Sequence, residues 1–282
     1  MDPFAMAVRT VRRLVAWGGA VRTAAPVARI EAPGGRVRAV VTEAGERIPT
    51  DIVVTALDPR VALGELLDPP LGEQRAGTWP PPGNVVQALV HVATDRLPAY
   101  PEAGPGDWNG LQSYVDGIDD LSSAWVAAEA GELPEPLPLY AFTPSALDPG
   151  LAPPGAHTVY LACPAAPARI AGGWDRRRDE FVERASAVLE RRAPGFGGTV
   201  MGVAARTPLD MERERWVGAH PMHLDIALDQ LGLFRPTPTL NSHRTPIEGL
   251  YVSGAGTSPT GGIAGTPGRQ AARAVLADRR RR

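Results

Sequence analysis

The chain has 282 residues, 44% of them apolar, and a formal net charge of −2, so it can bury the core of one large domain or two modest ones and disorder is not its default state. All 29 basic residues are arginine, which excludes a Walker A loop and a pyridoxal Schiff base because both need a lysine; the single Cys163 excludes an intrachain disulfide and paired-cysteine zinc or redox motifs. The near-neutral balance supplies no field for nucleic acid, and the 31 glycines and 30 prolines announce many turns.

Taken in chain order, Val8, Val11, Leu14 and Val15 recur at helical spacing and Gly18-Gly19 supplies a left-handed stop. The start carries no long apolar segment behind a basic flank, and a second methionine at Met6 gives it the look of an added leader. Valine-rich runs at Ala20–Thr23, Val27–Glu31, Arg36–Thr42 and Asp51–Leu57 predict strands, with a hairpin at Gly34-Gly35. Asp58-Pro59 ends that block. A short helix over Arg60–Leu67 and a proline-rich linker over Trp79–Gly83 follow. Strands are predicted at Asn84–Thr94, Leu137–Thr143, His157–Cys163 and Gly198–Arg206, and helices at Leu121–Ala130 and Asp175–Arg192. In the second helix Phe181, Val182, Ala185, Val188 and Leu189 form one apolar stripe, a core-packing pattern. Two stretches of twenty uncharged residues mimic membrane spans, but Pro149–Ala168 holds five prolines and Gly249–Gly268 seven glycines, so neither is a spanning helix and a cytoplasmic protein is expected.

The end of the chain is the most informative part. Gly249–Ser253 reads as a short buried strand, Gly254–Gly262 as a glycine-dense loop, and Ile263–Asp278 as mostly helix-forming, with Thr266-Pro267 an alternative helix start. Glycines let a backbone approach a ligand closely, and the unpaired N–H groups of a helix start favour an anion such as a pyrophosphate. Plain tight packing explains such a loop equally well. The dinucleotide fingerprint G-x-G-x-x-G is missing, since Pro259 interrupts the series after Gly254 and Gly256.

Several blocks in this region keep a family's order: Arg206-Thr-Pro-Leu-Asp-Met-Glu-Arg, Leu228-Asp-Gln, Arg235-Pro, the run Arg244–Thr257, and Gly261–Ala272. Together they closely resemble the C-terminal part of the phytoene-desaturase-like FAD-dependent oxidoreductases of the flavin-containing amine oxidase superfamily. Val27–Ile30, Gly35–Val37 and Asp51–Pro59 look like that family's returning flavin-domain segment. The resemblance implies an α/β fold, an α+β mixture in which a partial FAD/NAD(P)-binding-like domain (residues 1–57 and 245–282) carries an inserted mixed-sheet substrate domain (residues 58–244). It implies an FAD-dependent oxidoreductase that moves a hydride from an apolar small molecule to flavin. The cofactor-binding residues it implies are Val27 at the adenine, Gly254, Ala255, Gly256 and Thr257 at the phosphates, and Gly261, Gly262, Ile263 and Gly265 near the flavin.

Family members open with a strand, a dinucleotide glycine loop and a helix, none of which is in this sequence, so FAD itself is open to being absent. A fragment, one half of a split flavoenzyme and a flavin-free homologue that binds or cyclises a hydrophobic molecule all fit. Uncovered sheet edges around Val53 favour a homo-oligomer or a complementary chain that supplies the missing part.

Chemistry of this kind resides in the flavin and demands no particular acid or base. His220 and His223, three apart, offer a metal pair or proton shuttle if helical, or a loop pair at the domain junction. Asp210, Glu212 and Glu214 beside Arg213 and Arg215 read as helix-surface ion pairs, and Cys163 as an inert buried thiol. Thr257 or Thr260 can reach a phosphate. Trp79, Trp108, Trp125, Trp174 and Trp216 serve either core packing or an apolar tunnel.

Overall fold

The computed structural model describes residues 3–101, 104, 106, 108, 110–214, 217–260 and 265–281. Its residues form two compact units, Met1–Pro80 with Ile226–Arg282 (unit 1) and Pro81–Asp225 (unit 2).

Unit 1 opens with helix α1 (Pro3–Ala16), stopped by Gly18 at a φ of +84°, as the glycine pair predicts. Val11, Leu14 and Val15 are exposed on it. The predicted strand at Ala20–Thr23 does not form: Val21 is exposed and Arg22 points to an ion pair with Glu46 at 2.8 Å, so neither face of that run is buried. Strands β1 (Val27–Glu31) and β2 (Ala39–Thr42) make the predicted antiparallel hairpin, turning where Gly34 and Gly35 both take positive φ. Strand β3 (Arg47–Pro49) extends the sheet and β4 (Val53–Thr55) leaves it. The predicted helix at Arg60–Leu67 forms as a short π-helix over Val61–Leu66, which runs into β5 (Leu67–Asp68), parallel to β1; a single helical turn, α2 (Glu73–Ala76), follows. The sheet order is β3-β2-β1-β5.

Unit 2 is built on one antiparallel sheet of order β10-β6-β9-β8-β7, from β6 (Val85–Thr94), β7 (Gln112–Tyr114), β8 (Leu139–Phe142), β9 (His157–Pro167) and β10 (Val200–Arg206). Helices α3 (Ile118–Glu129), α4 (Pro144–Leu147), α5 (Trp174–Arg192) and α6 (Pro208–Arg213) lie between the strands in sequence. The stripe on α5 packs as its spacing predicts: Phe181, Ala185, Val188 and Leu189 bury against Val90, Val92, Val159 and Leu161 of β6 and β9. Buried Asn84 fastens this layer, donating to the Ala128 carbonyl at 2.8 Å and the Arg169 carbonyl at 3.1 Å while accepting from the Arg169 N–H at 2.8 Å.

The chain then returns to unit 1 for β11 (Leu250–Val252) and α7 (Thr266–Arg279). The unit boundaries fall after Pro80 and after Asp225, where the sequence reading places them after residues 57 and 244. Ala62, Leu63, Leu66, Leu67, Leu71 and Ala76 on one side of the insertion share a core cluster with Leu240 and Ile247 on the other. Those apolar side chains draw both flanking stretches into unit 1.

Candidate functional site

The glycine loop is set up by a parallel strand pair in which β11 is buried. Leu250, Tyr251 and Val252 pair with Val53, Val54 and Thr55, so β11 lies beside β4 and delivers the chain to Gly254 at the strand end. Gly254 has a φ of +83°, and a Cβ there would come to 2.5 Å of the Ala56 carbonyl oxygen. The glycine is therefore demanded by packing on the end of β4, whatever lies outside the turn. Thr257 closes the turn, its N–H and hydroxyl donating to the Gly254 carbonyl at 3.2 and 2.9 Å. This hydroxyl, a candidate phosphate donor by sequence, is spent inside the turn and fully buried.

Arg235, with 0% of its surface exposed, clamps the turn from within. Its Nε and Nη2 donate to the Ala255 carbonyl at 3.3 and 3.0 Å, and its Nη1 to the Gln230 carbonyl at 3.1 Å. Sequence reasoning quotes Arg235 only as part of a block. A signal was available, because it is the only charged side chain between Asp229 and Arg244, and a lone charge in an uncharged stretch is a candidate for burial with partners.

Helix α7 starts at Thr266, the alternative that the Thr-Pro pair offers, with Gly265 as a left-handed N-cap at a φ of +66°. It is held to β11 through Asp278, which accepts from Arg244 Nε at 2.9 Å, Arg244 Nη2 at 3.0 Å and the Tyr251 hydroxyl at 3.1 Å. The Arg244 guanidinium, with help from Tyr251, holds the Asp278 carboxyl below its ordinary range against the opposing effect of partial burial. His243 adds a second tie, its Nδ1 3.0 Å from the Val252 carbonyl oxygen and its Nε2 2.8 Å from Gln270 Oε1.

Of the nine implied cofactor residues, Gly254, Ala255, Gly256 and Thr257 share one turn and Gly265 caps α7. Val27 opens β1 in the other sheet and packs against the same cluster as Val252. Gly261, Gly262 and Ile263 lie outside the described residues. Two features fit an anionic nucleotide. The Thr260 hydroxyl is buried without a hydrogen-bond partner among the described residues, and a Cβ at Gly265 or Gly268, at the start of α7 where first-turn N–H groups lack helical acceptors, would meet none of the described residues within 4 Å.

A family model described as flavin containing amine oxidoreductase matches residues 5–276. The chain belongs to this family. Among its relatives is the rat "Pyridine nucleotide-disulfide oxidoreductase domain-containing protein 2", 33% identical over 280 residues, an alignment that takes in 93% of this chain and 48% of the rat protein. The phytoene dehydrogenase of Streptomyces griseus is 28% identical over 253 residues, covering 87% of this chain and 46% of that one. The chain thus spans about half the length of the curated relatives it matches. Its fold is like those of an oxidoreductase from Methanosarcina mazei (TM-score 0.53, 16% identity, 94% of this chain and 51% of that one) and the cyclohexylamine oxidase of Brevibacterium oxydans (TM-score 0.51, 15% identity, 91% and 49%).

The other candidates of this family member fall in or near unit 2. His220 and His223 lie in turns and share no helical face; His220 Nδ1 accepts from the Met222 N–H at 3.1 Å. Asp210 caps α6 by accepting from the Thr207 N–H and hydroxyl at 2.8 and 2.9 Å, and it pairs with Arg178 at 2.7 Å. Glu214 pairs with Arg206. Cys163 is fully buried in β9, where burial pushes its thiol up to about 12. Trp174 is core, donating to the Pro167 carbonyl at 2.9 Å; Trp79 packs on the unit 1 core and Trp108 donates to the Pro98 carbonyl at 2.9 Å. Trp125 is 54% exposed, so it is not a core residue, and Trp216 lies outside the described residues. Among the described residues no helix is long and apolar enough to cross a membrane.

Proposed function

We propose that this chain is a portion or subunit of an FAD-dependent oxidoreductase acting on an apolar small molecule, with unit 1 holding the nucleotide and unit 2 the substrate. The observation that carries the reading is the buried Thr260 hydroxyl, which has no hydrogen-bond partner among the described residues. FAD, when bound, supplies the hydride acceptor. The chain's own residues do the positioning. Arg235 and Thr257 fix the Gly254–Thr257 turn, Asp278 and His243 fix α7 against β11, and Thr260 with the first-turn N–H groups of α7 provides donors for a phosphate. Val27 and the glycines at 261, 262 and 265 are assigned to FAD on the family resemblance.

A complementary polypeptide that completes the FAD domain is the second part of the proposal. It is supported by a two-stranded parallel sheet whose Val54 is 46% exposed, since parallel strands are normally covered on both faces.

The test is FAD affinity, read by flavin fluorescence on the purified chain and on Gly268→Asp. Gly268 sits in the first turn of α7, where a Cβ would meet none of the described residues within 4 Å. A carboxylate there favours the helix by a few tenths of a kcal/mol yet repels a phosphate. The expected result is unchanged or raised thermal stability with FAD affinity down about tenfold or more. Equal FAD affinity in both proteins rejects the phosphate assignment, and failure of the unmutated chain to retain FAD moves the cofactor out of this chain's reach.

A further inference from the structure

Helix α5 covers one face of the unit 2 sheet, and strand register specifies what the opposite face carries. Phe142 pairs with Tyr160, Tyr160 with His91, and His91 with Ala204, which makes one cross-strand row. The adjacent row runs Ser113, Tyr140, Ala162, Leu89 and Arg206. Residues two apart on a strand share a face, so both rows look the same way. Leu89, Ala162 and Met211 form a buried apolar floor, against which Tyr140 and Tyr160 stand half-buried.

The polar groups on this floor are grouped. The His91 and Tyr160 rings meet edge-on with centroids 5.3 Å apart, the Tyr140 and Tyr160 rings lie 6.2 Å apart, and Gln87 Nε2 donates to the Tyr140 hydroxyl oxygen. Every group in the cluster is held neutral. Burial raises both tyrosine hydroxyls, and burial followed by the charge on Arg206 lowers His91. Arg206, the cation of these rows, already pairs with Glu214.

We propose that this sheet face is a recognition surface for an apolar molecule that carries an uncharged oxygen, a carbonyl or hydroxyl, with Tyr160, Tyr140 and Gln87 as its hydrogen-bonding partners. The inference rests on the reading of unit 2 as the substrate unit and narrows the substrate class. Gln87, Tyr140 and Tyr160 already bond one another, so a bare hydrocarbon offers the cluster no further partner and strips the remaining water from the Tyr160 hydroxyl, which disfavours it. A carboxylate enters a half-buried place whose cation is taken, so its desolvation goes uncompensated. A carbonyl accepts from the Tyr160 hydroxyl while its chain lies along the half-exposed rings of Tyr140, Phe142 and Tyr160.

Three probes with one C15 skeleton test this: farnesene, farnesal and farnesoic acid, each titrated into the full chain and followed by ligand-observed NMR. Farnesal should bind about tenfold or more tightly than the other two, and Tyr160→Phe should remove most of that advantage while farnesene affinity stays within about twofold. The variant keeps the ring and its contact with His91, and circular dichroism checks its fold; Gln87→Leu provides an independent second variant with the same expectation. Equal affinity for all three probes, or a farnesal preference that survives both variants, overturns the polar selection and leaves the substrate unit in place. Binding of none of the three overturns the selection and the substrate-unit reading together.

Discussion

Replacing Arg235 with methionine keeps a long side chain in the interior and deletes the guanidinium that holds the glycine turn. The Ala255 carbonyl loses two donors and the Gln230 carbonyl one. A buried acceptor left unpaired costs about 1–3 kcal/mol, so two of them give about 2–6 kcal/mol. Removing a buried charge works in the opposite direction, because the desolvation of the guanidinium is relieved. The carbonyls win here because they stay where they are and methionine offers no donor in exchange. A net loss of about 3 kcal/mol is expected, which for a unit of this size moves its Tm down by about 6–12 °C. Urea unfolding of Arg235→Met against the unmutated chain reads the loss, and amide hydrogen exchange at Gly256 and Thr257 reads whether the turn itself has loosened. Arg235→Lys restores one donor direction but not the fork, so it should recover about half. A loss below about 1 kcal/mol, or a large loss with Thr257 exchange unchanged, would refute the claim that this side chain shapes the loop.

Two further outcomes follow from the titrating groups. Partial burial alone would raise the Asp210 carboxyl, but Arg178 and the Thr207 donors outweigh it and hold the group below its ordinary value. A lowered carboxyl contributes stability that is complete above about pH 4 and is lost as the pH falls through the folded-state value. Asp210→Asn should therefore cost about 1 kcal/mol at pH 7 and little at pH 2, read as the change in urea midpoint; an equal cost at both pH values removes the charge from the explanation. Cys163, with its thiol pushed up to about 12, should resist iodoacetamide at pH 8 in the folded chain and react fully in urea. Rapid labelling of the native protein contradicts its burial.

The sequence made some of this legible. The α5 stripe, the strands β6 and β9, the β1–β2 hairpin and the strand-loop-helix order at the end are local patterns, in which period, turn residues and apolar runs lie within a few residues of one another. What escaped depends on residues far apart in the chain. The Phe142–Tyr160–His91 row exists only once the registers of three strands are known. Arg235 is intelligible only beside Ala255. The unit boundaries moved because Leu63 and Leu240, separated by the whole insertion, share one core. For Gly254 the sequence leaves close approach of a ligand and plain tight packing both open, and its positive φ and the nearby Ala56 carbonyl are sufficient reason for the glycine.

The pairing of β4 with β11 also sets a timetable for biosynthesis. Unit 2 owns one continuous stretch of polypeptide, so every partner its sheet requires has emerged from the ribosome once Asp225 is clear. Val53 waits for Leu250, which follows the whole of unit 2 in the chain. Through that interval the nascent chain carries an unpaired β4, and a chaperone that shields apolar strands would find its substrate there rather than in the insertion.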